Sequence, residues 1–491
     1  MRTLFKHQKE GVAFLKKKKR AILADQMGLG KTAQAIIAAG ENSKKGTLII
    51  CPASLKLNWE REIRMIYPED EIVVYDSVDV SNMKYAAIAS VEKAPWTIIN
   101  YDLLEKHSEW IVKEFKRDNL GTLILDEAHY IKNRKSIRAK ESLAIAEHAE
   151  HVYCLTGTPI MNRPIEMFTL LKAIGHPLGK YITHFTKRYC GGQMKTLVRD
   201  KHASRSFFVM PERAYPFRMQ RDRYQVITFM DENGATRIPE LKEIVKEVML
   251  RRTKQEVLDL PEKIVSTVEC TLGPEWQTRY DNAWDRYLDW LTAHPEGKNI
   301  NNIVSAQQLV ELMKLKQVCS QAKVLEVTEA IENARDQGEK VIVFSQFTET
   351  IERLKASLHA KNIRAVTLTG SDSTEDRQRA VDAFQKVDDI SVFIGNIQAA
   401  GVGITLTAAS IVIFIDMDWS PAVNEQAEDR AHRIGQQGTV NVYYYIVKGT
   451  IEEDIVQALL DKQGTIGNLM GGDGVQKALF ELLRKCADTQ K

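Results

Sequence analysis

The sequence predicts an α/β protein made of two successive parallel sheets, each flanked by helices. Three observations carry that expectation. Short apolar runs recur along the chain, most of them continuous rather than alternating and many rich in β-branched residues. Strands buried on both faces of a parallel sheet read this way. Helical stretches such as 31–39 and 348–358 lie between the runs, and strand alternating with helix makes α/β units. The series occurs twice, once in each half of the chain.

Taken in order, the first-half strands fall at 21–24, 47–51, 97–100, 122–125 and 152–155. The second-half strands fall at 341–344, 365–368, 391–394, 411–415 and 440–447. Residues from about 162 to 246 and from about 270 to 330 show little strand alternation. The stretch 275–325 reads as helices, broken at Ala293-His294-Pro295-Glu296-Gly297. Leu260-Pro261 reads as a linker between the halves. There is no low-complexity tract and no short-period repeat.

At 491 residues the chain is roughly three domains long, at ~100–200 residues per domain. It needs no disulfide or metal to bury a core. Hydrophobic residues at 44% and charged residues at 27% are ordinary globular usage, which excludes a disordered chain or a fibre. No apolar run approaches the ~18–20 residues of a membrane span, and the start MRTLFKHQKE lacks the apolar centre of a secretory signal. The six cysteines, Cys51, Cys154, Cys190, Cys270, Cys319 and Cys486, include no CxxC pair. They read as reduced thiols in a cytoplasm, not as disulfides or zinc ligands. The formal net charge is only +3, from 68 basic and 65 acidic residues. A polyanionic partner must therefore be met by charge concentrated locally.

Two motifs carry chemistry. Ala24-Asp25-Gln26-Met27-Gly28-Leu29-Gly30-Lys31-Thr32 follows a short apolar strand and opens a helix. Gly-Lys-Thr in that setting is a phosphate cradle. Gly28 and Gly30, with Leu29 between them, bring backbone N–H groups to phosphate oxygens. Lys31 supplies a point charge and Thr32 a hydroxyl for Mg²⁺. The strict pattern has glycine where Asp25 stands, and a turn capping a core helix is the alternative. Downstream, the apolar run 122–125 leads straight into Asp126-Glu127-Ala128-His129. Acids at the end of a buried strand sit at the carboxyl edge of the sheet, where ligands of open α/β folds bind. Asp126 is placed to serve Mg²⁺ and Glu127 to orient and deprotonate the attacking water. A solvated helix start is the alternative.

These motifs belong to a longer series. It begins with Gln8 in LFKHQKEGV, continues through DQMGLGKT, then Cys51-Pro52-Ala53-Ser54-Leu55 with Trp59, then Ile99-Asn100-Tyr101-Asp102. DEAH follows with Ile131-Lys132-Asn133, then Leu155-Thr156-Gly157-Thr158-Pro159. The second half adds KVIVFSQF from Lys340, AGVGITL from Ala400, Asp418-Trp419-Ser420-Pro421 and QAEDRAHRIGQ from Gln426. In this order, nearly end to end, the chain resembles a superfamily two helicase-type motor of the Swi/Snf class. It is most similar to the annealing-helicase, fork-remodelling branch, on its short insertions, Arg188-Tyr189-Cys190 and VMLRRTK from Val248 leading to Leu260-Pro261-Glu262-Lys263. It departs at Gln26, usually an acid, at Ala400 and Ile404-Thr405, usually within Gly-Gly-Val-Gly-Leu-Asn, and at Ser420, usually Asn. None of these removes a phosphate ligand, a metal ligand or an arginine finger.

The resemblance implies two tandem RecA-like lobes, parallel sheets flanked by helices, with mainly helical insertions in each lobe. Lobe one is expected at 1–245 with an insertion at about 162–245, the inter-lobe linker at 246–268, a helical protrusion at 269–330, lobe two at 331–455 and a helical tail at 456–491. ATP and Mg²⁺ are the implied cofactors. Gln8, Gly28, Leu29, Gly30, Lys31, Thr32 and Gln426 would hold the nucleotide, with Gln8 reading adenine, and Thr32 and Asp126 the metal. Glu127 would act as base, and Lys31, Arg430 and Arg433 would stabilise the transferring phosphoryl group, which suits a guanidinium that cannot lose its proton. Spacing of three puts Arg430 and Arg433 on one side of a helix; a solvated helix face is the alternative. Thr156 and Thr158 are expected to couple nucleotide to DNA, with a simple turn cap as the alternative.

By the same resemblance Ser54, Asn100, Lys132, Asn133, Ser345, Gly401, Trp419 and Asn424 would touch DNA. A core tryptophan is the alternative at Trp419. Composition adds the stretch from Lys187 to Arg223, with ten basic residues, among them Arg199, Lys201 and Arg205, against three acidic ones, and with aromatics interleaved. That mixture suits nucleic acid; a small packed insertion with solvated charges is the alternative. Lys132, Arg134, Lys135 and Arg138 form a second basic group, and the run Lys16 to Arg20 reads as a solvated turn. The expected function is an ATP-dependent double-stranded DNA translocase without base specificity. It would be a monomeric cytoplasmic motor that remodels or reanneals forked or branched DNA in replication or repair. A single-strand-binding protein or complex subunits are its further partners, and no membrane is involved. The alternatives are a strand-separating helicase and the motor or nucleotide switch of a larger DNA-processing or defence complex.

Overall fold

The computed structural model describes residues 4–42, 45–75, 95–157, 164–192, 194–200, 207–210, 224–230, 234–258, 260–293, 306–400 and 403–456. The chain divides into two compact units, Met1–Gln26 with Gly30–Arg252, and Met27–Leu29 with Thr253–Lys491. Gly401, Thr158, most of the basic, aromatic stretch and the expected tail lie outside the described residues.

In the first unit the strands are β1 (Arg20–Leu23), β2 (Gly46–Cys51), β3 (Ile72–Val74), β4 (Trp96–Asn100), β5 (Leu120–Leu125) and β6 (His151–Leu155). The short strand Met249–Leu250, β10 in chain order, joins them. Their order is β10-β1-β6-β5-β2-β4-β3 and every pairing is parallel. Every residue of β2, β4, β5 and β6 is buried, which is why these runs are uninterruptedly apolar in sequence. Arg20 opens β1 and donates to the carbonyls of Ala146, Ala173 and Ile174 at 2.8, 3.0 and 3.1 Å. It thereby satisfies the carbonyl ends of the helices Ile137–Ala146 and Pro164–Ala173, which favour a cation.

Between β6 and β10 the sequence leads one to expect helices. The helices Pro164–Ala173, Ile182–Tyr189 and Ile238–Lys246 are present. A separate antiparallel sheet accompanies them, with β7 (Met194–Asp200) between β8 (Phe207–Met210) and β9 (Tyr224–Met230). Its strands carry aromatic and β-branched residues whose sheet preference is masked in sequence by the intervening charges.

The second unit has the order β11-β16-β15-β12-β14-β13, again wholly parallel. The strands are β11 (Lys263–Cys270), β12 (Val341–Ser345), β13 (Ala365–Leu368), β14 (Val392–Asn396), β15 (Ile411–Phe414) and β16 (Val440–Val447). Helices Pro274–Ala293, Ala306–Ala322 and Val324–Asp336 precede β12. The stretch expected as a linker, 246–268, thus supplies β10 to one sheet and most of β11 to the other. β11 is an edge strand, with Ile264 and Val265 exposed. Lys323 and Glu452, 1% and 5% exposed, pair at 2.7 Å inside this unit, and the ammonium also donates to the carbonyl of Tyr445 at 2.8 Å. Cys51, Cys154, Cys190, Cys270 and Cys319 are free thiols, all buried. Among the described residues no helix is long and apolar enough to cross a membrane.

Candidate nucleotide site and the adjoining strand ends

β1 runs into the glycine loop, which turns into the helix Lys31–Asn42. Gly28 and Gly30 have φ of 84° and 74°, a left-handed backbone that only glycine adopts cheaply. A Cβ on Gly30 would lie 2.3 Å from Gln8 Nε2, so the glutamine expected to read adenine packs directly on the loop. Gln8 Oε1 accepts from the backbone N–H of Phe5 at 3.1 Å, which fixes the amide near the start of the helix Lys6–Lys18. Lys31 Nζ donates to the carbonyls of Asp25 and Gln26 at 2.7 and 3.4 Å, curling its charge over the loop. Thr32 follows in the helix's first turn, where free N–H groups favour an anion. The Leu29 side chain is fully buried, so only its backbone can address a ligand.

Asp25 departs from the generic phosphate loop, and its surroundings show what it does. It is fully buried and accepts from Arg252 Nε and Nη2 at 3.0 and 2.5 Å, a bidentate pair. Gln34 Nε2 donates to the same carboxylate at 3.3 Å, Arg252 Nη2 also donates to Gln34 Oε1 at 3.1 Å, and Arg252 Nη1 donates to the carbonyl of His7. One buried network therefore ties the loop to its own helix, to the first helix and to the end of β10.

The acidic box begins where β5 ends. Asp126 Oδ2 accepts from Trp59 Nε1 at 2.7 Å, Asp126 Oδ1 accepts from the Glu127 N–H at 2.9 Å, and Tyr101 Oη donates to the Asp126 carbonyl at 2.8 Å. The carboxylate is thus aimed by Trp59 and the Glu127 N–H, while Tyr101 fixes the backbone behind it. Burial, and after it the charge of Glu127, push the Asp126 carboxyl above the usual carboxylate range. Glu127 has φ 47° and ψ 51°, a left-handed conformation in a residue with a Cβ. That costs of order 1–3 kcal/mol and is characteristic of functional sites. His129 Nδ1 lies 3.3 Å from Glu127 Oε2.

Among the described residues no three His, Cys, Asp or Glu side chains form a metal cage. The Thr32 hydroxyl and the Asp126 carboxylate are hard oxygen donors, and Mg²⁺ uses one or two such ligands with phosphates and waters completing its shell. A buried carboxyl held above its usual range is also the group a cation would restore to the charged form. The residues fit the ion.

Because the sheet is parallel, all these features lie along one edge. The phosphate loop follows β1, Thr156 follows β6 with its N–H on the Leu23 carbonyl at 3.1 Å, and the acidic box follows β5. Continuing along the sheet, Ser54 follows β2, and Asn100 ends β4. Lys132 and Asn133, just after the acidic box, are exposed. They line a cavity of about 630 Å³ with Tyr101, Asp102, Tyr130 and Arg138, in which Tyr101 stacks on Tyr130 at 5.4 Å. The edge grades from the phosphate loop at one side to a partly basic cavity at the other.

In the second unit the helix Pro421–Glu428 ends before the arginines. Arg430 and Arg433 lie in the turns that follow, which corrects the expectation of one helix face. They are nonetheless brought together, since Nη1 of each donates to the Ile404 carbonyl, at 3.2 and 3.1 Å. Gln426 is buried, and its Nε2 has no hydrogen-bond partner among the described residues, a cost of ~1–3 kcal/mol that a ligand would offset. Ser345, Trp419 and Asn424 spend their side chains internally. Ser345 Oγ donates to Asp416 at 2.5 Å, Asn424 closes two bonds with the Asp418 backbone at 2.8 and 2.9 Å, and Trp419 lies 4.3 Å from the buried ammonium of Lys316. Lys316 donates to Gln346 Oε1 and the Met417 carbonyl at 2.9 and 2.7 Å, and burial lowers its pKa. As they stand, these three expected DNA contacts serve this unit's own packing.

Arg252, Lys316 and the Trp59–Asp126 bond have no local sequence signal, because each partner lies far along the chain. Comparisons with known proteins agree with the motif order. The SNF2-related domain family matches residues 7–324 and the helicase conserved C-terminal domain residues 322–435. A Caenorhabditis elegans protein named SWI/SNF-related matrix-associated actin-dependent regulator of chromatin subfamily A-like protein 1 homolog is 31% identical over 511 residues, covering 99% of this chain and 67% of that protein. The human DNA annealing helicase and endonuclease ZRANB3 is 30% identical, covering 96% of this chain and 40% of its own length. An uncharacterized ATP-dependent helicase of Mycoplasma pneumoniae is 30% identical, with 96% and 42% covered. The chain thus spans two-thirds of the nematode relative and less than half of the other two. From the match over most of the chain, with the phosphate loop, the acidic box and the paired arginines in place, the chain belongs to the SNF2-related family of helicase-like ATPases.

Proposed function

We propose that this protein couples ATP hydrolysis to movement along double-stranded DNA and remodels or reanneals forked or branched DNA. The observation that carries the reading is the shared sheet edge, where the phosphate loop, Thr156 and the acidic box adjoin Ser54, Asn100 and exposed Lys132 and Asn133. A nucleotide on one part of that edge is one strand away from a polyanion on the next. The human relative's name, an annealing helicase, supports the reannealing part.

In this reading the ATP phosphates meet the N-terminus of the helix Lys31–Asn42, and Lys31 exchanges its loop carbonyls for phosphate oxygens. Thr32 and Asp126 would hold Mg²⁺, which would supply charge neutralisation at the phosphates. Glu127 takes the proton of the attacking water, and Trp59 keeps Asp126 oriented. Arg430 and Arg433 exchange the Ile404 carbonyl for the transferring phosphoryl group, whose charge they stabilise. Phosphate contacts dominate affinity for DNA, so Lys132 and the basic stretch 187–223 line the backbone rather than read bases.

The test is ATP turnover without nucleic acid and with single-stranded, duplex and forked DNA, for the wild type and Glu127→Gln. We expect duplex or forked DNA to stimulate turnover and the variant to lose about 10²–10⁴-fold, the usual share of a general base. Absence of stimulation by either DNA ends the translocase reading. On a fork coated with single-strand-binding protein, reannealing without unwinding is expected; robust strand separation would favour a true helicase.

A further inference from the structure

The arginine segment is held from outside. The regular helix ends at Glu428, and beyond it the backbone mixes short turns, Arg430 N on the Ala427 carbonyl and Ala431 N on the Glu428 carbonyl at 3.1 Å, with isolated longer ones, Asp429 N on the Glu425 carbonyl at 3.0 Å and His432 N on the Glu428 carbonyl at 3.3 Å. It also carries its own hazard, since Glu425, Glu428 and Asp429 immediately precede Arg430. A guanidinium prefers a carboxylate, bidentate where geometry allows. Left unbalanced, these acids would capture the groups meant for phosphate.

The opening segment of the second unit, Thr253–Lys263, meets both needs. Lys254 Nζ lies 2.8 Å from Asp429 Oδ1, in a pair 4% and 2% exposed, and donates to the His432 carbonyl. Lys263 Nζ lies 2.6 Å from Glu428 Oε2 and 3.9 Å from Asp429. Tyr444 Oη donates to the other Glu428 oxygen at 2.5 Å. His432 Nε2 is 2.9 Å from the Pro261 carbonyl. Two lysines thus occupy two of the acids, and the segment grips the turn at three points. With Glu428 and Asp429 engaged by the lysines, Nη1 of Arg430 and Nη1 of Arg433 both donate to the neutral Ile404 carbonyl.

We propose that Lys254 and Lys263 are positioning residues for the arginine pair, holding its turn in register and keeping Glu428 and Asp429 from capturing Arg430 and Arg433. The inference rests on the reading of those arginines as phosphoryl-stabilising groups. Burial lowers the Lys254 pKa to about 8, an effect that Asp429 opposes, so the ammonium is held charged near neutral pH by the acid it neutralises.

The experiment measures DNA-stimulated kcat, KM for ATP, and the affinity of a fluorescent ATP analogue for Lys254→Met, Lys263→Met, Arg430→Ala, Lys254→Met with Asp429→Asn, and Lys254→Met with Arg430→Ala. Groups acting through Arg430 should be non-additive with it. We expect Lys254→Met to lower kcat about tenfold and Lys263→Met about threefold, with analogue affinity within about twofold. Adding Asp429→Asn should recover most of the Lys254→Met loss. Adding Lys254→Met to Arg430→Ala should lower kcat no further. A wild-type kcat in both lysine variants, or a full further loss in the Arg430→Ala background, overturns the proposal. An undiminished kcat in Arg430→Ala overturns the arginine reading instead. If Lys254→Met does not fold, the half-buried Lys263 decides: a loss of kcat with analogue affinity kept supports the proposal, and no loss rejects it.

Discussion

Asp25 illustrates how a single residue can look like a defect in sequence and be structural in the fold. It stands where the generic loop has glycine, yet its buried carboxylate is paired with Arg252, hundreds of positions away. Removing one partner of a buried pair leaves an uncompensated charge and costs about 3–5 kcal/mol. Asp25→Gly, which restores the generic pattern, is therefore expected to destabilise the first unit by that amount in urea unfolding. A loss below about 1 kcal/mol would show the pair to be dispensable. Trp59 was legible as part of a motif, but its bond to Asp126 was not. Trp59→Phe keeps the ring and deletes the N–H; turnover should fall about tenfold, equivalent to ~1.4 kcal/mol on the barrier, with the Mg²⁺ needed for half-maximal rate shifted upward. Unchanged turnover and unchanged metal dependence would assign Trp59 to packing alone.

At the scale of elements, ten of the strands were legible because each is an apolar run bounded by polar turns, most of them buried on both faces. β3, β10 and β11 were not, since they lie at sheet edges, are short, or alternate with exposed positions as β11 does. The three strands of the small antiparallel sheet were hidden for a related reason: β7 alternates apolar and charged residues, and β8 and β9 are short runs set in strongly basic sequence. The end of the arginine helix was also misplaced: spacing of three is compatible with a helix, but the chain leaves it at Glu428. Further along, the turn after β16 is fixed by Glu452, whose carboxylate accepts from Lys323 and from the Val447 N–H. Burial raises its pKa, so the pair is needed to keep it charged. Glu452→Ala should destabilise the second unit by about 3–5 kcal/mol, read as a lower urea midpoint, and replacing both partners with apolar residues should cost less than the single change.

At the scale of the whole molecule, the near-neutral net charge says little, because the charges are sorted by place. Acids are engaged inside, Asp126 by Trp59 and Glu428 and Asp429 by lysines, while Lys132 and Asn133 remain exposed just after the acidic box. The stretch from Lys187 to Arg223 adds the densest positive charge in the sequence. Neutralising Arg199, Lys201 and Arg205 should weaken binding to duplex DNA and flatten its dependence on salt, since each phosphate contact contributes close to one unit to that slope. An unchanged slope would make the stretch a packed insertion with solvated charges.

The sequence by itself determined the two parallel sheets, the phosphate loop, the acidic box and the arginine pair. Each is written in consecutive residues or in a short period, and local chemistry suffices to read it. Only the tertiary structure decided which residues hold those groups in place. Asp25 with Arg252, Trp59 with Asp126, Lys316 with Trp419, and Lys254 with Asp429 are pairs between distant segments. The chain carries no local mark of such pairs, because a buried charge or N–H is satisfied by whatever acceptor or ring face the fold brings into contact, not by its neighbours in sequence.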